Sequence, residues 1–222
     1  MNKAGALGWL LAGCVAGSAW AGPVTLTFDQ TGLVPAAGAS NPIGNFYAGG
    51  SVGGMTGPSD GATFGTFAQA VTASTSSNAG PANGLGVFLL LDSAGTPSAP
   101  LTTTLSISPG FSGTLAFDWS ARDNFTVNLF DAAGQLSSTT FTPSNTTISS
   151  PFSAWTNASL STNGAVATRV SFIGGSNALF LDNIAFNLQG TTGGTVPEPG
   201  STALVGLGLV AAWAAGRRRR PA

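Results

Sequence analysis

Residues 115–119 read LAFDW and residues 125–129 read FTVNL, and these two segments decide the fold class. In both, large apolar side chains occupy every second position, which is the period of a β-strand with one buried face. Residues 184–188, IAFNL, repeat the pattern. Since successive side chains of a strand point to opposite faces, the three segments predict an all-β domain with a shared apolar core.

The surrounding sequence supports the same architecture. Residues 86–91 are continuously apolar, which is typical of a strand buried on both faces, and residues 131–134, DAAG, predict a turn. Gly and Pro recur throughout, and no stretch of the body shows a helical period. We therefore predict a β-sandwich or jelly roll over residues 22–188, with the Gly-rich residues 31–62 forming long loops at one end.

Charge excludes one class of partner. Between residues 22 and 195 the chain has two Arg and seven Asp, a net formal charge of −5. A domain with so few cations cannot neutralise many phosphates, so we expect no nucleic-acid binding. The remaining cations lie at the two ends of the chain, at Lys3 and in an Arg cluster near residue 220.

Three residue types are missing from the body. The chain has no His, its one Cys is Cys14, and its one Glu is Glu198. Catalytic triads based on His or Cys and transition-metal sites based on the same residues are therefore excluded from the body. A body without thiols also suits export into an oxidising compartment.

The N-terminus has the composition of a secretion signal. Lys3 precedes an apolar stretch over residues 4–15, and Ala19 and Ala21 form a small-x-small cleavage site. This signal predicts passage through the secretion translocon and a mature chain that starts at Gly22. Residues 11–14, LAGC, offer an alternative, in which Cys14 becomes the lipidated first residue of a lipoprotein.

The C-terminus has three successive parts. Its apolar middle, residues 201–216, would span about 24 Å as a helix, short of the ~30 Å hydrocarbon core. Snorkelling Arg side chains make up part of that difference and stay on the cytoplasmic side, so the body lies outside. A plain single-span anchor, or a core helix followed by a basic tail, is the alternative. The flanking parts are Val196, Pro197, Glu198 and Pro199 before the stretch, and Arg217, Arg218, Arg219 and Arg220 after it.

This tail resembles the PEP-CTERM sorting tail. The resemblance rests on Pro197-Glu198-Pro199, the short apolar stretch and the Arg cluster, about 27 residues in all. It implies that an exosortase, a membrane-embedded cysteine transpeptidase, recognises and processes the tail. It also implies a Gram-negative host that makes exopolysaccharide. Residues 189–195 would be a flexible spacer that keeps the motif at residues 196–199 accessible.

Catalysis in the body would have to use aspartates. A glycosidase pair needs two carboxyl groups facing one bond, and Asp118 and Asp123 flank a turn predicted at residues 120–122. Asp side chains at such positions also cap turns or pair with a neighbouring Arg. We expect a protein that is not an enzyme, and an Asp-dependent polysaccharide hydrolase or lyase is the alternative.

A calcium site is a further prediction. Residues 180–186, FLDNIAF, resemble the final strand of galactose-binding-like jelly rolls and carbohydrate-binding modules. That resemblance implies a structural Ca²⁺ held by Asp182 and Asp29, with Asn183 as a third candidate, although many such modules have Glu where this chain has Asp29. Ca²⁺ prefers oxygen ligands of this kind. The alternative is local hydrogen bonding by Asp182 and Asn183.

Sugar binding would require exposed aromatic rings. Tyr47, in the Gly-rich region, and Trp155 are the candidates, while Trp119 falls on the apolar face of its segment and is expected in the core. These features together predict an exported surface or matrix protein that is retained transiently in the inner membrane and binds exopolysaccharide. The alternative to a binding protein, besides an enzyme, is an anchored structural domain without a ligand.

Overall fold

The computed structural model describes residues 22–72, 85–92, 100–143 and 155–189, which all belong to one compact unit, Trp20–Gly190. The predicted signal peptide with Cys14, the predicted spacer beyond residue 189 and the sorting tail lie outside the described residues. Within the described ranges the chain has no helix, so none there is long and apolar enough to cross a membrane.

The all-β prediction is confirmed. Thirteen strands occupy the described residues, and they include every segment in which the sequence alternates. Their bounds are β1 Pro23–Leu26, β2 Ser40–Pro42, β3 Ser51–Val52, β4 Met55–Thr56, β5 Ala62–Phe64, β6 Ala68–Thr72, β7 Gly86–Leu90, β8 Leu101–Ala121, β9 Phe125–Phe130, β10 Gln135–Phe141, β11 Thr156–Ser161, β12 Ala167–Gly174 and β13 Leu179–Leu188.

One long strand organises the sheet. The pairing path is β10-β9-β12-β8-β13-β7-β6-β2, with β5 and β11 also on β8 and β1 also on β13. The first part of β8 pairs with β12 and β5, and residues 111–121 pair with β13. Gly110, between the two parts, has φ +122°, a conformation that few other residues adopt. The strand thus passes from one set of partners to the other.

The two sets of strands face each other across the core. Phe172 of β12 lies 6.0 Å from Phe88 of β7 and 6.1 Å from Phe117 in the second part of β8, measured between ring centroids. All three rings are fully buried. Two sheet layers with interdigitating apolar faces are consistent with a β-sandwich.

Strand β7 is buried on both faces, as its apolar run predicts. Phe88 and Leu90 belong to the main core, while Val87 and Leu89 belong to a second cluster with Val71. Alternate side chains of β7 therefore pack in different clusters, and all five of its residues are buried.

A β-bulge in β13 keeps its apolar residues in the core. Asp182 pairs with Asp118 and Ala185 pairs with Ala116, so β13 has one extra residue there. Asn183 occupies this position with φ +50°, a left-handed conformation that Asn tolerates. Before the bulge odd-numbered residues face the main core, and after it even-numbered residues do, beginning with Ile184.

The Gly-rich residues 31–62 are more ordered than the sequence predicts. They contain β2 and a small hairpin, β3–β4, whose Gly53 and Gly54 have φ +58° and +79°. Positive φ at both central residues is the signature of a type I′ turn. The prediction of long loops was therefore wrong in part, because Leu33 and Ile43 anchor this region in the core.

Candidate functional site

The bulge of β13 places a carboxyl group in a buried position. The side chain of Asp182 is only 2% exposed, and one of its oxygens accepts a 2.7 Å hydrogen bond from the backbone N–H of Asn183. Burial, together with the weaker effect of the negative charges of Asp29 and Asp118, raises the pKa of this carboxyl to about 7, although the hydrogen bond from the Asn183 N–H partly offsets the increase. Asp182 therefore holds its proton to a much higher pH than an exposed aspartate does.

Asp118 lies opposite Asp182 in the register and is held by two amides. Its Oδ1 accepts a 3.0 Å hydrogen bond from Asn157 of β11, and its Oδ2 accepts a 2.8 Å bond from Asn183. Both carboxylate oxygens of Asp118 are thus engaged by side chains from the two flanking strands. The sequence does not reveal the role of Asn157, since β11 reads TNASLS and lacks apolar alternation.

Asp29 follows β1 and connects it to β7. Its Oδ1 accepts hydrogen bonds from the backbone N–H groups of Leu85, at 2.6 Å, and Gly86, at 3.0 Å. A Cβ added at Gly86 would lie 2.2 Å from the carbonyl oxygen of Phe28, so only glycine allows this close approach. Asp29 therefore has a structural role at the start of β7.

The predicted calcium ligands fit such an ion in part. Asp29 lies near enough to Asp182 for its charge to raise the pKa of that carboxyl, and a buried carboxylate favours a nearby cation. Asn183, however, directs its amide nitrogen to Asp118. Among the described residues no group of three or more His, Cys, Asp or Glu side chains is arranged to hold a metal. Water and carbonyl oxygens would have to supply most of the six to eight ligands that Ca²⁺ takes.

The structure does not form the turn that was predicted between Asp118 and Asp123. Strand β8 continues through residues 120 and 121 because Ala121 is buried and pairs with Leu179. Asp118 therefore lies within the strand, while Asp123 follows it in the connection to β9. The prediction of a turn at residues 120–122 was wrong, so Asp118 and Asp123 do not lie at the two ends of such a turn.

The two aromatic candidates for sugar binding, Tyr47 and Trp155, differ in burial. Tyr47 is fully buried, and its hydroxyl donates to Gln30 Oε1 at 2.8 Å. Its ring packs edge-on against Phe28, with centroids 5.9 Å apart. The prediction that Tyr47 is an exposed sugar platform was wrong, because the Gly-rich segment folds its aromatic side chains inward. Burial also raises the pKa of the Tyr47 phenol far above its ordinary value.

Trp119 and Trp155 occupy different clusters. Trp119 is buried in the main core with its ring 5.0 Å from that of Phe125, as predicted. Trp155 is half-buried and packs against the second cluster, which includes Leu89 and Phe180. A role of Trp155 in sugar binding stays a prediction.

The class of protein follows from these observations and one sequence match. The described residues form an all-β domain, and residues 195–220 match the family model of the PEP-CTERM protein-sorting motif. The chain therefore carries this sorting motif after its β domain. The predicted motif residues 196–199 and the Arg cluster at 217–220 fall within the matched segment.

Comparison with solved structures gives distant similarities. A cleaved adhesin domain of Lys-gingipain is 14% identical over 75% of this chain and 99% of that chain, with a TM-score of 0.47. A mutant family 29 carbohydrate-binding module is 13% identical over 46% of this chain, with a TM-score of 0.32, and the match spans 64% of that module. Another module mutant, complexed with cellulohexaose, is 11% identical over 75% of this chain and 92% of that chain, with a TM-score of 0.36.

No curated protein matches the chain. At the identities and TM-scores given above, the similar structures carry no information about what this chain binds. The sorting motif is therefore the finding on which a function must rest.

Proposed function

We propose that this protein is exported, is processed through its sorting tail by an exosortase-type membrane enzyme, and acts at the cell surface or in the extracellular matrix. There its β domain, a sandwich of the jelly-roll type, binds exopolysaccharide and catalyses no reaction. The match of residues 195–220 to the sorting motif carries this proposal. The secretion signal predicted at residues 1–21, with cleavage after Ala21, supports it.

The charge distribution supports the proposed topology. Four Arg residues follow the apolar stretch of the tail, whereas the body has only two, Arg122 and Arg169. Arg clusters next to a membrane segment remain on the cytoplasmic side, so the body is exported and the motif at residues 196–199 lies near the outer surface of the inner membrane. This position makes the motif accessible to an enzyme embedded in the same membrane.

Deletion of the sorting enzyme from the host tests the proposal. We expect the protein to accumulate in the inner-membrane fraction with residues 200–222 attached, whereas the parent strain releases a shorter form to the surface. Fractionation with immunoblotting of a tag placed in the β domain measures both forms. Equal lengths and equal distributions in the two strains would contradict processing by that enzyme.

Calcium binding by Asp29 and Asp182 is a second part of the proposal. A ligand that binds only the folded state raises stability, by about 2.7 kcal/mol when its concentration is 100 times Kd. We expect EDTA to lower the melting temperature of the mature protein and Ca²⁺ to restore it. The Asp182→Asn variant should lose the response, and Asp123→Asn, at an exposed position, should keep it. A melting temperature that chelator leaves unchanged would exclude the site.

A further inference from the structure

Two neighbouring cavities lie along strand β6. The first, of about 380 Å³, is lined by residues that include Phe64, Phe67 and Gln69. The second, of about 260 Å³, is lined further along the strand by Val71 and Thr72, and Leu91 lines both. The two cavities follow one another along the extended β6 and share Leu91, and we call them together the β6 groove.

Phe67 in this groove has an unusual backbone conformation. Its φ is +69°, a left-handed conformation that is a genuine outlier for a bulky side chain. Neighbouring bonds hold the segment in place, since the Phe67 carbonyl accepts from Leu91 N at 2.9 Å and the Ala68 carbonyl accepts from Ile43 N at 3.1 Å. Residues kept in such conformations by their surroundings concentrate at ligand sites.

The groove is also uncharged. None of the described residues that line either cavity is Asp, Glu, Lys or Arg, although the body has seven Asp and a net formal charge of −5. Its lining combines apolar side chains such as Phe67 and Leu91 with polar ones such as Gln69 and Thr72. This chemistry fits a neutral ligand with apolar faces and hydroxyl groups, and the acidic body disfavours a polyanion.

We propose that the β6 groove binds a segment of a neutral polysaccharide, with a sugar ring stacked on the half-buried Phe67 and hydroxyl groups bonded by Gln69. This inference rests on the polysaccharide-binding part of the proposed function and identifies its site. It assigns the aromatic platform to Phe67, in place of Tyr47, which is fully buried, and Trp155.

The positive φ of Phe67 allows its ring to be removed by a substitution that suits the backbone. Glycine adopts positive φ without a steric cost, so Phe67→Gly removes the ring while the strained conformation becomes an easy one. We expect Phe67→Gly and Phe67→Ala to weaken binding at least about tenfold, as truncation of a central aromatic contact does. Phe67→Tyr keeps a ring and should retain binding, and Gln69→Ala, which keeps Phe67, should weaken binding to a smaller extent.

Calorimetric titration of the mature protein with neutral exopolysaccharide purified from the host measures these effects. A carboxylated form of the same polymer provides the charged comparison and should bind more weakly. Leu85→Ala is the matched control, because Leu85 is exposed and does not line the groove, and it should bind as the parent protein does.

The results distinguish whether the β domain binds polysaccharide at all from whether it does so in the β6 groove. If the parent protein binds and Phe67→Gly binds equally well, the groove is not the site, and loss of binding in Trp155→Ala would then place the site at Trp155. If the parent protein binds neither polymer while its tail is processed normally, the polysaccharide-binding part of the proposed function is wrong and the groove inference fails with it.

Discussion

Replacement of Glu198 by Gln, together with Pro197 and Pro199 by Ala, is expected to abolish processing of the tail and leave the whole protein in the inner membrane. The matched segment places these three residues at its start, before the apolar stretch. An enzyme that recognises a carboxylate between two prolines loses both a charge and a rigid backbone in this variant, since each proline fixes φ near −65°. The apolar stretch and the Arg cluster remain, so membrane retention should persist.

Two further variants make this result interpretable. Substitution of Thr191 and Thr192 by Ala in the predicted spacer changes the chain close to the motif and should leave processing intact. Replacement of the four Arg by Ser should instead impair retention, because it removes the cytoplasmic anchor of a segment that is short for the bilayer. Immunoblots of fractionated cells distinguish a cleaved from an uncleaved chain. Normal cleavage of the motif variant would show that the tail is recognised by other features.

The stability of the metal-free protein is expected to fall as the pH rises from about 4 to about 7, and Asp182→Asn should remove much of that fall. In the folded protein the pKa of Asp182 is raised from 3.8 to about 7, chiefly by burial. A raised pKa means that the folded state binds the proton more tightly than the unfolded state does. The stabilisation is therefore complete below pH 4 and is lost as the pH passes through 7.

The effect can be large because each pKa unit corresponds to about 1.4 kcal/mol, which sets an upper limit on the order of 4 kcal/mol. Among the described residues, the charges of Asp29 and Asp118 raise the pKa of Asp182, and Asp182 in turn acts on Tyr47. Asn at position 182 would accept the same Asn183 N–H without a charge. Melting curves in EDTA at pH 5 and pH 8 measure the difference. We expect the melting temperature of Asp182→Asn to be higher than that of the parent protein at pH 8. If the melting temperatures of the two proteins change equally with pH, Asp182 is not the group responsible.

The strands were predictable where burial alternates along the sequence. Residues 125–129 place their apolar side chains at every second position, and they lie in β9. The strands β10 and β11 were not predictable in this way, because QLSSTTF and TNASLS contain few large apolar residues. Such strands form because they pair with apolar neighbours, and tertiary context then outweighs local pattern.

The candidate sites were less predictable than the fold. The resemblance of residues 180–186 to a carbohydrate-binding jelly roll suggested Asp182 and Asp29, but it could not show that Asn157 and Asn183 would hold Asp118. The Gly-rich surroundings of Tyr47 suggested exposure, whereas its ring packs between aromatic neighbours that are distant in sequence. The segment of Phe67 is held by backbone hydrogen bonds from Leu91 and Ile43, which are distant in sequence, so no local pattern predicts its left-handed conformation.

The intact masses of the protein recovered from fractionated host cells show whether it is exported and processed at the C-terminal motif. We predict a surface or matrix species whose N-terminus is Gly22 and whose chain ends near the motif at residues 196–199, without the Arg cluster. Recovery of only a cytosolic species that runs from Met1 to Ala222 would show that the protein is neither exported nor processed.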